Sequence, residues 1–241
     1  MPVAPGNKDA AEDAGLGRWL GHNAWRFVVL FVGMLLPLGA FVALANEIHA
    51  METPWRDIAV LWRMRALTSP ELDALFVVVS KIGYQWGVIP LDVLVVLVLL
   101  LRRRWRRSIF AASAFIGSAL LNIGAKNLFQ RERPGLWESI APESTFSFPS
   151  GHAMGSMTLA VTLVLLAWRT RWRWPVLVLA VVFVLGVGMS RMYLGVHYPS
   201  DILAGWCAAL AWVLGVYLLL FGRGRRMRDT WHNDGARSEN S

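Results

Sequence analysis

Chemically capable side chains fall into three short clusters of this 241-residue chain. The first runs from Lys126 to Arg133-Pro134, with Arg131 between them; the second is Pro149-Ser150-Gly151-His152; the third is Ser190-Arg191, followed by His197 and Asp201. Arginine forks meet phosphate oxygens two at a time and lysine adds a point charge, so these cations suit a phosphate anion. Ser150 stands where a helix N-cap would. That aims the amides of Gly151 and His152 off a helix N-terminus, an anion site by dipole and by unpaired donors together. With no Cβ, Gly151 lets the backbone approach closely. His197 and Asp201 lie four apart, a separation at which a carboxylate can hold one ring nitrogen and leave the other free as nucleophile or base. His152 is then available as a general acid.

Each feature also has a plainer reading. Basic residues at a membrane interface contact headgroups, a histidine at a span end sits in the interface, and an aspartate at a helix start is a cap. Taken together, those readings leave unexplained why all three clusters fall on one side of the membrane topology derived below, against its charge bias. No set of carboxylates, histidines and cysteines has metal-ligand spacing, so neither a metal nor another cofactor is expected. The single cysteine, Cys207, excludes an intramolecular disulfide and reads as a packing residue.

The elements that must position these residues are apolar. Hydrophobic residues make up 56% of the chain and charged residues 17%, against about a quarter charged in soluble domains. The apolar residues form unbroken runs, and about 18 in a row marks a membrane-spanning helix. Phe27–Ala45 and Ile202–Phe221 reach that length; Trp86–Leu101, Ile109–Gly124, Ala153–Trp168 and Pro175–Ser190 can each borrow a turn from their flanks. The expected fold is all-α, a polytopic membrane protein with six transmembrane helices over 27–221 and a motif core at 126–201. Cytoplasmic tails are expected at 1–26 and 222–241. Asn46–Gly83 is too polar to cross, and within it Leu72, Leu75, Phe76 and Val79 recur at helical spacing, which predicts an interfacial helix on the outer side. Ala43-Leu44-Ala45 resembles a signal-peptidase site, but the run before it is long for a signal peptide and reads as a retained anchor. Asp92 interrupts the second run and reads as structural, through a hydrogen bond to Asn122 or a small-residue face of the third span.

Of the 24 lysines and arginines, 16 fall on the side shared by the two termini and the loops Arg102–Arg107 and Arg169–Trp174. The positive-inside rule makes that side cytoplasmic, and so places the three clusters on the outer face of a plasma (bacterial inner) membrane. Trp25, Trp105, Trp168, Trp172 and Trp174 stand at span ends as an aromatic belt would. The net charge of +8 lies at span ends rather than on one face, so it sets topology and points away from nucleic acid.

Lys126-x6-Arg133-Pro134, Pro149-Ser150-Gly151-His152 and Ser190-Arg191-x5-His197-x3-Asp201 match all three motifs of the type 2 phosphatidic acid phosphatase superfamily, in order and each at a span boundary. The sequence resembles the membrane lipid-phosphatase branch of that family over about Phe27–Phe221. The resemblance implies metal-free hydrolysis in which His197 attacks phosphorus to give a phosphohistidine, Asp201 orients His197, and His152 protonates the leaving oxygen. It also implies that Lys126, Arg133, Ser150, Gly151 and Arg191 hold the phosphoryl oxygens. The implied partners are a lipid phosphate or diphosphate substrate and the surrounding membrane lipids. Undecaprenyl diphosphate is the leading expectation, with phosphatidylglycerophosphate, phosphatidic acid and lipid A phosphate as rivals, because the motifs read phosphate and not the lipid. A vanadium haloperoxidase has a related site, but six spans argue against one. A lipid-phosphate binder or transporter would need the anion site without the nucleophile and acid.

Overall fold

The computed structural model describes residue 28, residues 31–50 and residues 55–221; the expected tails at 1–26 and 222–241, with Trp25, lie outside the described residues. Among the described residues there are helices and loops and no strand. A π-helical stretch, Phe31–Leu35, leads into α1 (Leu36–His49). It is followed by α2 (Trp55–Arg65), α3 (Pro70–Ile82), α4 (Val88–Leu101), α5 (Trp105–Phe129), α6 (Gly151–Ala167), α7 (Arg173–Tyr193) and α8 (Pro199–Phe221).

At 1.5 Å per residue, about 20 residues cross a hydrocarbon layer of ~30 Å. Phe31–Ile48, α5, α7 and α8 are long and apolar enough to cross. The apolar helices α4 and α6 have 14 and 17 residues, which falls short. Length and composition alone therefore support four spans, two fewer than the sequence count. α5 and α7 outrun their apolar segments because basic and aromatic residues, Trp105-Arg106-Arg107 and Lys126 in one, Arg173 and Arg191 in the other, continue the helix at both ends. Leu101, Leu128 and Leu219 are 83%, 76% and 81% exposed, a surface suited to lipid chains and not to water.

The helix α6 packs on both α7 and α8, α8 also meets α1 and α5, and α4 lies on α5. Phe110 and Ala114 of α5 bury against Val213, Val216 and Phe221 of α8. Val88 of α4, Ala111 and Phe115 of α5 and Leu159 of α6 form a second cluster. A Cβ on Gly205 of α8 would stand 2.9 Å from the Ser150 carbonyl oxygen, so glycine is what allows α8 to press against the start of α6.

On the side of the site, the helix expected around Leu72–Val79 is present as α3. Ser69 caps it by accepting from the Leu72 N–H at 3.3 Å, and Pro70 opens it. Leu72 and Phe76 pack on the cluster of Tyr193, Leu194 and Val196, while Leu75 stays exposed. The sequence pattern does not foreshadow α2. Asn122 spends its amide donors on the Pro149 carbonyl at 3.1 Å and Met154 Sδ at 3.8 Å, which leaves none for Asp92. Asp92 Oδ1 is buried without a hydrogen bond, and the two side chains instead line a cavity of about 180 Å³.

Candidate active site

Helix ends carry the site: the C-terminal ends of α5 and α7, the N-terminal ends of α6 and α8, and the loops that join them. After α7 the chain turns at Gly195, whose φ of +68° is the left-handed region that favours glycine. Trp137 takes the space beside it, 2.5 Å from where a Cβ would stand. The turn delivers His197 to a fully buried position, and Pro199 then starts α8 with Asp201 in its first turn.

His197 Nδ1 lies 3.4 Å from Asp201 Oδ2 and 3.4 Å from Ser147 Oγ, while Arg133 Nη1 stands 3.1 Å from Nε2. A guanidinium only donates, so Nε2 accepts and the ring proton belongs on Nδ1, toward Asp201. Burial lowers the His197 pKa well below the ordinary imidazole value, and the charges of Arg191 and Arg133 push it the same way. The ring is therefore neutral, with the Nε2 lone pair among cations. Behind it, Asp201 is fully buried and accepts from Arg131 Nη1 at 2.6 Å, from the Tyr198 N–H at 2.9 Å and from the Ser147 hydroxyl.

The cations are tied to the 130–150 loop. Arg133 donates to the Thr145 carbonyl at 2.6 Å, the Val196 carbonyl at 2.7 Å and Glu143 Oε2 at 2.8 Å. Arg191 is buried in α7 and bonds Ser80 Oγ and Glu143 Oε1. Lys126 Nζ reaches Thr145 Oγ1 at 3.0 Å and the Phe146 carbonyl. The His152 ring lies tilted against Tyr84 with centroids 4.8 Å apart, and its Nδ1 lies 3.7 Å from Glu143 Oε1. Glu143 thus bridges two arginines and faces a histidine. Burial pushes its carboxyl pKa up, but Arg191, Arg133 and Lys126 outweigh burial and hold it below the ordinary value.

Of the eight residues singled out from sequence, six place charged or ring groups here: Lys126, Arg133, His152, Arg191, His197 and Asp201. The other two frame the start of α6. The Ser150 hydroxyl caps the helix by accepting from the Ala153 N–H at 3.4 Å, and its own N–H donates to the Asp201 carbonyl at 3.1 Å. No hydrogen bond among the described residues joins the Ser150 hydroxyl to Arg133, Arg191 or Glu143. Gly151 heads α6, where a Cβ would lie 3.0 Å from Asn122 Oδ1. Sequence reasoning missed Glu143, Ser147 and Thr145, which lie in a loop without periodicity. It passed over Arg131, although Arg131 sits inside the first cluster. A neutral imidazole nitrogen beside guanidiniums, with a second histidine across a bound carboxylate, is an arrangement able to accept and release a phosphoryl group.

Comparison with known proteins agrees. Residues 107–225 match the PAP2 superfamily. Phosphatidylglycerophosphatase B of Bacillus subtilis (strain 168) is 30% identical over 175 residues, which cover 70% of this chain and 86% of that protein. An undecaprenyl-diphosphatase of Sulfolobus acidocaldarius is 33% identical over 140 residues, 56% of this chain and 64% of that protein. The crystal structure of a transmembrane PAP2-type phosphatidylglycerolphosphate phosphatase from Bacillus subtilis superposes with a TM-score of 0.68 at 27% identity, covering 78% of this chain and 98% of that one. With its three motifs gathered on one set of helix ends, this chain belongs to the PAP2 superfamily and is a membrane-integral phosphatase.

Proposed function

We propose that the protein hydrolyses a lipid phosphomonoester or diphosphate at the outer face of the plasma membrane through a phosphohistidine on His197, with undecaprenyl diphosphate as its leading substrate. The observation that carries this reading is the pairing of a neutral His197, its Nε2 facing Arg133, with an anion, the Glu143 carboxylate, already seated on Arg133 and Arg191. Burial and the charges of Arg191 and Arg133 hold the His152 pKa down to about 2, so His152 takes up its proton when the negatively charged substrate phosphate binds beside it. The Nε2 lone pair of His197 then attacks phosphorus, the bond to the leaving oxygen breaks, and that oxygen takes the proton from His152. Water then attacks the phosphorus and gives its proton to His152. The P–Nε2 bond breaks, which frees inorganic phosphate and restores His197. Asp201 holds the Nδ1 proton. Lys126, Arg133 and Arg191 neutralise the phosphoryl oxygens, and the capped start of α6, through Ser150 and Gly151, adds backbone amides. An apolar groove of about 700 Å³ between α1, α5 and α8, lined by Leu38, Phe41, Leu121, Phe129 and Trp212, reaches Pro149 and suits a prenyl or acyl chain.

Six spans, with α4 and α6 completed by their flanks and α3 lying in the interface, put the site outside and both termini in the cytoplasm. A second substrate, phosphatidylglycerophosphate, is favoured by the relative from Bacillus subtilis, which the chain covers over 86% of its length. Phosphate release by detergent-purified protein from undecaprenyl diphosphate, phosphatidylglycerophosphate and phosphatidic acid decides between them. The highest kcat/KM is expected for undecaprenyl diphosphate. A higher value for phosphatidylglycerophosphate installs the second reading, and release from none refutes both.

A further inference from the structure

The carboxylate behind His197 is itself held from behind. Arg131 Nη1 lies 2.6 Å from Asp201 Oδ1 and 2.8 Å from Ser200 Oγ, and Nη2 lies 3.4 Å from Asp57 Oδ2. Asp57 comes from α2, 143 positions before Ser200; its Oδ1 accepts from the Ser200 N–H at 3.1 Å, and its other oxygen takes the Ser200 hydroxyl. The Arg131 guanidinium also lies over the Tyr198 ring, 4.0 Å from its centroid. All four polar residues are sealed: Asp57, Arg131, Ser200 and Asp201 are 5%, 9%, 5% and 0% exposed.

We propose that Arg131 and Asp57 are positioning residues for the reaction, forming a buried chain Asp57–Arg131–Asp201 that fixes the carboxylate orienting His197. This rests on the reading of His197 and Asp201 given above. The two oxygens of Asp201 divide the work. Oδ2 faces His197 Nδ1, the Ser147 hydroxyl and the Tyr198 N–H, and Oδ1 faces Arg131. A buried carboxylate left without its cation is strongly disfavoured and free to turn, so its hold on the Nδ1 proton depends on Arg131. Asp57 in turn balances Arg131 and pins the first turn of α8, supplying to the Ser200 N–H the acceptor that a helix start lacks. Arg131 touches carboxylates, a hydroxyl and a ring, whereas Arg133 two positions later bonds Glu143 on the phosphate side. The α2 helix, which carries no family motif, thereby joins the catalytic machinery.

A double-mutant cycle tests this. Arg131→Met and Asp57→Asn are made alone and in an Asp201→Asn background, and kcat and KM are measured with short-chain phosphatidic acid on detergent-purified, folded protein. Arg131→Met is expected to lower kcat by about 10- to 100-fold, the effect typical of removing a group that orients a functional histidine, with KM moving less than about threefold. Arg131→Lys is expected to recover part of the loss. In the Asp201→Asn background, the further loss is expected to be under about twofold, because the residue through which Arg131 acts is already disabled. A purely structural clamp would lower kcat equally in both backgrounds, and that result overturns the inference, as does an Arg131→Met protein with kcat within about twofold of the parent. If Arg131→Met does not fold, Asp57→Asn carries the same cycle with the same criteria. Full activity of Asp201→Asn alone would instead overturn the His197–Asp201 reading beneath it.

Discussion

Substituting glutamine for Glu143 should tighten the binding of phosphate-like inhibitors. The Glu143 carboxylate takes one guanidinium nitrogen from Arg133, at 2.8 Å, and one from Arg191, with 26% of its side chain exposed. These are the donors on which a phosphoryl group would sit, so substrate and carboxylate compete for them. Hydrogen bonds to charged partners contribute about 1.5–3 kcal/mol and neutral ones about 0.5–1.5 kcal/mol. Glutamine keeps one acceptor oxygen and loses the charge, so the competitor weakens by about 1–2 kcal/mol, which corresponds to roughly a 5- to 30-fold change in affinity. The assay is inhibition of phosphate release by vanadate, which resembles pentacoordinate phosphorus, measured on detergent-purified parent and Glu143→Gln protein. The inhibition constant is expected to fall by that factor, and product inhibition by inorganic phosphate should strengthen in parallel. An unchanged or raised constant would refute the competition and make Glu143 a support that holds the arginines ready.

Three other outcomes can be checked with the same preparation. Activity should persist in excess chelator, because the site is dominated by cations that would repel a divalent ion; loss in chelator that Mg²⁺ restores would contradict this. Thermal stability in detergent should fall from pH 7 toward pH 5, because the unfolded chain protonates His197 below about 6.5 while the folded one does not. The contribution of Glu143, whose carboxyl is held below its ordinary value, is lost only at more acid pH, and a higher unfolding temperature at pH 5 would refute the expectation. After replacement of Cys207, Glu138→Cys in the 130–150 loop, where Glu138 is exposed, should react with an impermeant maleimide on intact cells and Arg104→Cys should not; the reverse pattern would invert the proposed topology.

How far the sequence could be read depended on the range of each contact. The Ser150 cap is a local device, visible as a serine before a glycine and an apolar run, and the Ala153 N–H does bond it. His197 and Asp201 are one helical turn apart, so their pairing is legible too. The all-helical fold follows from apolar runs that no soluble core needs. Span length is less legible: basic and aromatic residues prolong α5 and α7, while α4 stops at Leu101. The partners of Asp201 and Arg191 were out of reach because they come from distant segments. Asp57 meets Ser200 across 143 positions, Ser80 meets Arg191 across 111, and Glu143 lies in a loop whose course no periodicity records. Asp92 is the opposite case, a carboxylate in an apolar run noticed in the sequence; of its two expected settings, the hydrogen bond to Asn122 is absent, because Asn122 turns to the Pro149 carbonyl instead.

The most direct measurement is to trap the covalent intermediate. Protein carrying His152→Ala, which should slow release of the phosphoryl group, is mixed with an aryl phosphate radiolabelled at phosphorus, whose leaving group needs no proton from His152, and quenched in base. An acid-labile, base-stable label on the peptide containing His197, absent when His197→Ala is added, is the expected result. Turnover of the parent protein with no label at His197, or a label that survives His197→Ala, would contradict the phosphohistidine on which the account rests.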